Sequence, residues 1–408
     1  MKLNLRGEHP SNSTIQISGS KSETNRLLIL QALYPQLEIQ HASNSDDSTV
    51  LKAALESTEN VVDVHHAGTA MRFLTAYFAS KPGREVLLTG SARMQERPIG
   101  ILVEALQGLG AQIQYEKQKG YPPLRIKGTT LHEKSIAIQA DVSSQFISAL
   151  LLIAPSLPKG LELKLQGTLT SKPYIEMTLS LLEQCGIAFH FDANTITVNP
   201  FRSIEPTTIV VESDWSSASY FYSLVALSED LEITLGHYKE KSLQGDRAVV
   251  RLYEKLGVST DFKMETQQMV LRKTNKILPK QFQADLSNTP DLAQTIAVTC
   301  FGLGVACQFT GLHTLKIKET DRLLALQMEL QKLGGEVHID ANSIRVATSK
   351  QLTPNVAIDT YNDHRMAMAF APLALKVPIT INAAEVVSKS FPTFWECLKT
   401  LGVQVHEM

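Results

Sequence analysis

The sequence predicts an α/β protein of two domains, each assembled from three copies of one supersecondary unit. Three observations carry that expectation: the length, six apolar segments that recur along the chain, and a second set of amphipathic helices that close on glycine roughly every 70 residues. At 408 residues, 43% of them hydrophobic and 20% charged, the composition is that of a globular protein and the length exceeds what one hydrophobic core usually supports.

The apolar segments begin near Ser22 (SETNRLLILQAL), Gly68 (GTAMRFLTAYFA), Ser143 (SSQFISALLLIA), Ser216 (SSASYFYSLVAL), Asp291 (DLAQTIAVTCFG) and Asp363 (DHRMAMAFAPLAL). Each opens on small or polar residues and then runs for about ten residues with little charge and no early Pro or Gly, which favours helix over strand. Apolar on nearly every side, these helices should be buried. The second kind of helix is amphipathic and ends at Gly110, Gly186, Gly257, Gly334 or Gly402, glycine supplying the left-handed residue that stops a helix. In one of them Leu323, Leu326, Leu330 and Leu333 mark a single buried face. Alternating strands follow, and two are near copies: Asp192-Ala193-Asn194 with Ile196 and Val198, and Asp340-Ala341-Asn342 with Ile344 and Val346. The units divide into two groups of three, each burying its Ala-rich helices centrally, and Val211-Glu212-Ser213-Asp214 is the candidate crossing.

Formal net charge is -2, so no global field draws the chain to nucleic acid or to an anionic membrane, and attraction for anions must be local. Cys185, Cys300, Cys307 and Cys397 have no metal-ligand spacing and read as buried free thiols; no metal and no dinucleotide fingerprint is expected, hence no cofactor. The opening MKLNLRGEHPSNST has no apolar run, so neither a secretory signal nor a membrane span is expected, and a cytoplasmic location is the default.

Local attraction for anions is visible where the buried helices begin. Their N-termini offer unpaired N–H groups and a partial positive charge. Lys21, Ser22, Asn25 and Arg26 sit at the first, Gly68, Thr69 and Arg72 at the second, and Ser143, Ser144 and Gln145 at the third. Asp291 opens the fifth, and Asp363, His364 and Arg365 the sixth. Ser, Thr and Asp are ordinary caps. A cation there is unfavourable by itself, and an anion between cation and helix would explain it. Two further clusters, Arg93 to Pro98 and Lys318-Glu319-Thr320-Asp321-Arg322, lead into amphipathic helices; alone, the second could be a solvated ion-pair network worth little. Lys389 by itself is an unremarkable surface lysine.

Taken together these segments resemble the signature blocks of the 3-phosphoshikimate 1-carboxyvinyltransferase (5-enolpyruvylshikimate 3-phosphate synthase) family. The blocks are GSKSETNR from Gly19, AGTAMR from Ala67, RMQERPIG from Arg93, VSSQF from Val142, SKPYIEMT from Ser171, SDWSSASYF from Ser213, PDLAQTIA from Pro290, KETDR from Lys318 and YNDHRMAMAF from Tyr361. The resemblance implies two inside-out α/β globes, each of three βαβαββ units. One would span 20–213 and the other 1–19 with 214–408, the active site lying in the cleft between them. It implies transfer of the carboxyvinyl group of phosphoenolpyruvate to the 5-hydroxyl of shikimate 3-phosphate, on the pathway to chorismate and the aromatic amino acids, by a protein without cofactor in a family that leans monomeric.

By resemblance, shikimate 3-phosphate would contact Lys21, Ser22, Arg26, Ser143, Ser144, Gln145, Ser171, Tyr174, Asp291 and Lys318. Phosphoenolpyruvate would contact Lys21, Gly68, Arg97, Gln145, Arg322, Arg365 and Lys389. Guanidinium forks suit its carboxylate and phosphate. Asp291 would take the hydroxyl proton and Glu319 serve the methylene carbon, with Lys21 and His364 as further catalytic candidates. Lys318 and Arg322 would keep Glu319 ionised until bound anions raise its pKa. The chain departs from the family pattern at His66 (usually Asn), Phe73 (usually Pro) and Thr314 (often Asn). These departures bear on the phosphoenolpyruvate loop, where the inhibitor glyphosate acts, and on one contact to the shikimate ring. The sister family that transfers the same group to UDP-N-acetylglucosamine commonly carries a reactive Cys in its loop, and none stands between Arg93 and Arg97. RNA 3'-phosphate cyclase shares related units, but no basic stripe is present. A catalytically silent homologue would be signalled by loss of Asp291, Glu319 or Lys21, and all three are present.

Overall fold

The computed structural model describes residues 1–7, 11–141, 143–167, 169, 171–349 and 351–408. Val142 of the VSSQF block lies outside them. The chain divides into two compact units, one of residues 19–211 and the other of residues 1–18 with 212–408.

One sheet pattern recurs in both. In the unit 19–211, strand Val61–Asp63 runs parallel to Glu85–Thr89 across the helix Gly68–Ala79. An amphipathic helix, Gly100–Gly108, then leads into Gln112–Tyr115 and Leu124–Lys127, which add antiparallel in the order first, second, fourth, third. This is a βαβαββ unit, and its crossover helix is long enough to join parallel strands. Ser135–Gln139, Leu161–Gln166, Phe189–Asp192 and Thr195–Val198 repeat the order. A third, two-stranded parallel sheet pairs Leu37–Gln40 with Thr207–Val210.

Among its described residues the unit 212–408 carries three four-stranded sheets: two repeat that chain order, and in the third the strand Lys2–Gly7 takes the place that the last strand of the unit holds in the others. Two of them recruit the start of the chain: Ser13–Ile15 lies parallel to Glu232–Gly236, and Lys2–Gly7 pairs between Ile379–Asn382 and Val403–Glu407. The near-copied Asp-Ala-Asn segments are the turns of equivalent hairpins. In one, Phe191 faces Ile196; in the other, Ile339 faces Ile344, with Asp340 Oδ1 accepting from the N–H groups of Asn342 and Ser343.

The apolar segments form the buried helices Lys21–Leu33, Gly68–Ala79, Ser144–Ile153, Trp215–Leu227, Ala293–Gly302 and His364–Phe370. Every residue of Trp215–Leu227 except Ser216 is buried. Small residues let such helices approach: a Cβ on Gly302 would stand 2.7 Å from both Leu227 Cδ2 and Leu373 Cδ2. Hydroxyls buried with them are paired, Thr299 Oγ1 lying 2.7 Å from Ser223 Oγ and from Tyr253 OH. Two ends differ from expectation. The fifth segment opens with a 3-10 turn, Pro290–Leu292, before its α-helix. The sixth stays helical for seven residues and then tightens into the 3-10 stretch Ala371–Leu375, where Pro372 has no N–H to continue the ladder. The closing glycines at 110 and 334 take φ of 102° and 93°, as the end of an amphipathic helix requires. All four cysteines are buried free thiols. Among the described residues no helix is long and apolar enough to cross a membrane.

Candidate active site

Each unit gathers part of the expected set. In the unit 19–211 Arg26 joins three helices, Lys21–Leu33, Ser144–Ile153 and Lys172–Gln184, by hydrogen bonds. Its Nε donates to Thr178 Oγ1 (2.7 Å), Nη1 to the Ser22 carbonyl (2.7 Å), and Nη2 to Ser148 Oγ (3.0 Å) and the Tyr174 carbonyl (3.3 Å). The guanidinium stacks 5.4 Å from the Phe73 ring, so the aromatic that replaces the family's usual proline makes a cation–π contact. Burial lowers the Arg26 pKa to about 10, partly opposed by Tyr174 and Glu23.

Lys21 opens its helix with Nζ 3.5 Å from the largely buried Asp47 carboxylate. Gln145 Nε2 donates to Thr69 Oγ1 (3.4 Å), which places the starts of helices Gly68–Ala79 and Ser144–Ile153 side by side. Ser143 caps the latter, its Oγ accepting from the Gln145 N–H, and Ser144 is buried behind it. Ser171 caps Lys172–Gln184 from a left-handed conformation, φ 53°, and its carbonyl accepts from the Tyr174 N–H. A non-glycine residue at such φ is uncommon and marks a constrained turn.

Gly68 and Arg97 are in close contact: a Cβ on Gly68 would fall 2.5 Å from Arg97 Nη1. Arg72 sets that loop, its guanidinium donating to the carbonyls of Gly68 (3.2 Å) and Pro98 (3.1 Å). His66 turns to Asp46, with Nε2 3.9 Å from its Oδ2. Arg93 of the same cluster is exposed and pairs with Glu96.

The unit 212–408 holds a buried network centred on Arg322, which is only 2% exposed. Its Nη1 donates to Asp291 Oδ1 (2.8 Å), Nη2 to Glu319 Oε2 (2.7 Å), and Nε to Asp363 Oδ2 (2.6 Å). The KETDR cluster is therefore no solvated ion-pair face. Asp363 also caps the helix His364–Phe370, its Oδ1 accepting from the Arg365 N–H. Arg365 turns back to Asp291: Nη2 reaches Oδ2 at 3.0 Å and Nη1 the carbonyl at 3.3 Å. Lys318 Nζ lies 3.9 Å from Asp291 Oδ1. Burial alone would raise the Asp291 pKa, but Arg365, Lys318 and Arg322 outweigh it and hold the carboxyl well below the usual range. Arg322, which burial would lower, is raised by Asp363, Glu319 and Asp291. His364 is buried beside Asp363, Nδ1 to Oδ1 3.8 Å. Lys389 Nζ donates to the Asn362 carbonyl (2.6 Å), and Tyr361 and Asn362 are both left-handed, at φ 52° and 56°.

The sequence singled out neither Asp47 nor Asp246, and it placed Asp363 and Arg72 only at helix starts and Ser216 only in an apolar segment, none of them among the substrate-binding or catalytic residues. Ser216 Oγ donates to Asp246 Oδ2 and accepts from Arg365 Nη2 at 3.3 Å. Ser216 was visible only as the start of an apolar segment. Asp246, in the hydrophilic run Gln244-Gly245-Asp246-Arg247, had no local signal of burial. Thr314 Oγ1, where relatives often carry Asn, is buried with no hydrogen-bond partner among the described residues. Those residues include no cluster of His, Cys, Asp and Glu suited to a metal ion.

Comparison with known proteins gives consistent results. The family model described as EPSP synthase (3-phosphoshikimate 1-carboxyvinyltransferase) matches residues 36–398. A curated 3-phosphoshikimate 1-carboxyvinyltransferase of Bacteroides fragilis is 44% identical over 395 residues, covering 96% of this chain and 95% of that protein. Its namesake in Pseudoalteromonas translucida is 37% identical over 422 residues, covering 96% and 97%. Among solved structures, EPSP synthase from Acinetobacter baumannii superposes with a TM-score of 0.78 at 20% identity, over the whole of both chains. The enolpyruvyl transferase NikO from Streptomyces tendae gives 0.72 at 14% identity, over 100% of this chain and 98% of that one. These two likenesses show the fold.

Proposed function

The chain belongs to the EPSP synthase family, and from that premise we infer that it is a 3-phosphoshikimate 1-carboxyvinyltransferase of the shikimate pathway. It transfers the carboxyvinyl group of phosphoenolpyruvate to the 5-hydroxyl of shikimate 3-phosphate and releases phosphate. The observation that supports this reading best is Asp291, a carboxylate whose two oxygens are held by Arg322 and Arg365 with Lys318 beside them. A base gripped by cations in the free enzyme is poised for anionic substrates: their charge offsets the cations and restores the basicity of the carboxylate.

In the proposed reaction Asp291 takes the 5-hydroxyl proton as the oxygen attacks C2 of phosphoenolpyruvate. Glu319 delivers a proton to the methylene carbon, with Lys21 and His364 as further candidates for proton transfer. The tetrahedral adduct then expels phosphate and loses a proton from the new methyl group. Arg97, Arg322, Arg365, Lys21, Lys389, Gln145 and the backbone at Gly68 take the phosphoenolpyruvate carboxylate and phosphate, where bidentate, charge-assisted bonds are strongest. Ser143, Ser144, Gln145, Ser171, Tyr174, Ser22, Arg26, Lys21 and Lys318 take shikimate 3-phosphate, its phosphate suiting hydroxyls and helix N–H groups. A monomer in the cytoplasm, working on soluble polyanions, fits this assignment.

Phosphate release from phosphoenolpyruvate tests it. Release should require shikimate 3-phosphate and be absent with UDP-N-acetylglucosamine. The opposite preference, or release with neither acceptor, would overturn the assignment.

A further inference from the structure

Asp246 sits in the 3-10 turn Gly245–Ala248, 2% exposed, with no ligand role in the reaction above. Its Oδ2 accepts from Ser216 Oγ, while its Oδ1 is buried with no hydrogen-bond partner among the described residues. Because the Ser216 hydroxyl hydrogen is spent on Asp246, the oxygen's lone pairs are what Arg365 Nη2 meets at 3.3 Å. The same Nη2 reaches Asp291 Oδ2 at 3.0 Å, so a continuous chain runs Asp246, Ser216, Arg365, Asp291.

Gln244 locks the near end of that chain. Its Oε1 accepts from the Trp215 N–H (2.9 Å) and its Nε2 donates to the Ser213 carbonyl (2.9 Å), which fastens the turn to the first residues of helix Trp215–Leu227. Ser216 is the second residue of that helix, and the spacing between Asp246 and Ser216 is thereby set by Gln244, two residues before Asp246, bonded to the backbone just before Ser216. A serine without such an acceptor can rotate and point its hydrogen at the guanidinium, a repulsive contact.

We propose that Asp246 is a positioning residue: by holding the Ser216 hydroxyl with its lone pairs toward Arg365, it orients the guanidinium for the carboxylate of phosphoenolpyruvate. The inference rests on the assignment of Arg365 to that substrate. Asp246 need not be charged to act. Burial, then the neighbouring Asp291 carboxylate, pushes its pKa up to about 7 against the pull of Arg365 and the Ser216 bond, and the neutral acid still accepts through a carbonyl oxygen. Asparagine at this position should therefore serve where alanine should not.

Steady-state phosphate release, with each substrate varied in turn, tests this in Asp246→Ala, Asp246→Asn, Ser216→Ala, the double variant Asp246→Ala/Ser216→Ala, and Arg365→Ala. Losing one link to a charged group should raise KM for phosphoenolpyruvate about tenfold in Asp246→Ala and in Ser216→Ala. KM for shikimate 3-phosphate should stay within about twofold, kcat within about threefold, and Asp246→Asn should recover most of the loss. The double variant should be no worse than either single one, because both cut the same chain. A silent Ser216→Ala, an additive double variant, or equal rises in both KM values would sink the inference, the last by exposing general damage. Should Asp246→Ala not fold, Ser216→Ala and Asp246→Asn decide alone. If Arg365→Ala leaves KM for phosphoenolpyruvate unchanged, the assignment of Arg365 falls and the inference with it; if Arg365→Ala raises it while Asp246 and Ser216 variants are silent, the inference alone falls.

Discussion

Burial gives Asp246 a stability effect opposite in sign to that of Asp291. Below the ordinary aspartate value, near pH ~4, folded and unfolded chains both carry the proton on Asp246. As pH rises to about 7 the unfolded chain ionises while the buried group, raised by desolvation and by Asp291, does not, so this contribution to stability declines across the window and is lost above it. The decline is on the order of a few kcal/mol. Asp246→Asn should therefore gain stability over the native sequence in urea titrations near pH ~8 and lose that advantage near pH ~4; parallel pH dependences in the two proteins would refute it. Asp291 runs the other way: its depressed pKa contributes stability above the ordinary aspartate value that fades as pH falls below it. At this scale the cations were legible in the sequence, since Arg or Lys beside a helix start is conspicuous. The buried carboxylate Asp246 was not, because a Gly-Asp-Arg turn reads as surface.

Helices carry most of what was readable. Their apolar runs, opening caps and closing glycines are local signals, and the elements formed where those signals lay, apart from the 3-10 turns at Pro290–Leu292 and Ala371–Leu375. How the helices are tied was not readable. Arg26 bonds Thr178 and Ser148, 152 and 122 residues away in sequence. Arg26→Met would keep the apolar stem but remove the guanidinium bonds to Thr178, Ser148 and the Ser22 and Tyr174 carbonyls, leaving Thr178 only its bonds to Ser148 and Tyr174, a loss of about 2 to 3 kcal/mol for the unit 19–211. The variant's far-ultraviolet unfolding midpoint should drop in urea; an unchanged midpoint would mean the guanidinium does not hold these helices together.

For the whole molecule, both tryptophans, Trp215 and Trp395, are buried in the unit 212–408, and the unit 19–211 has none. Tryptophan fluorescence thus follows one unit while circular dichroism follows both. Each unit encloses its own buried helices, so without substrates the two probes should report different urea midpoints. Coincident curves would show one cooperative transition instead. In Arg26→Met the fluorescence midpoint should stay in place while the dichroism midpoint moves, which localises the damage.

The sequence by itself determined the α/β class, the six buried helices, the ends of most helices and the family to which the chain belongs, because period, capping and motif order are written in neighbouring residues; that one of the six sheets has only two strands was not among them. Only the tertiary structure decided that Arg322 is a buried hub rather than a surface ion pair, that Lys2–Gly7 pairs specifically between Ile379–Asn382 and Val403–Glu407, and that Asp246 stands behind Ser216 and Arg365. Those outcomes depend on which helix faces pack together and on contacts closed over long stretches of chain, and no local pattern of residues encodes either.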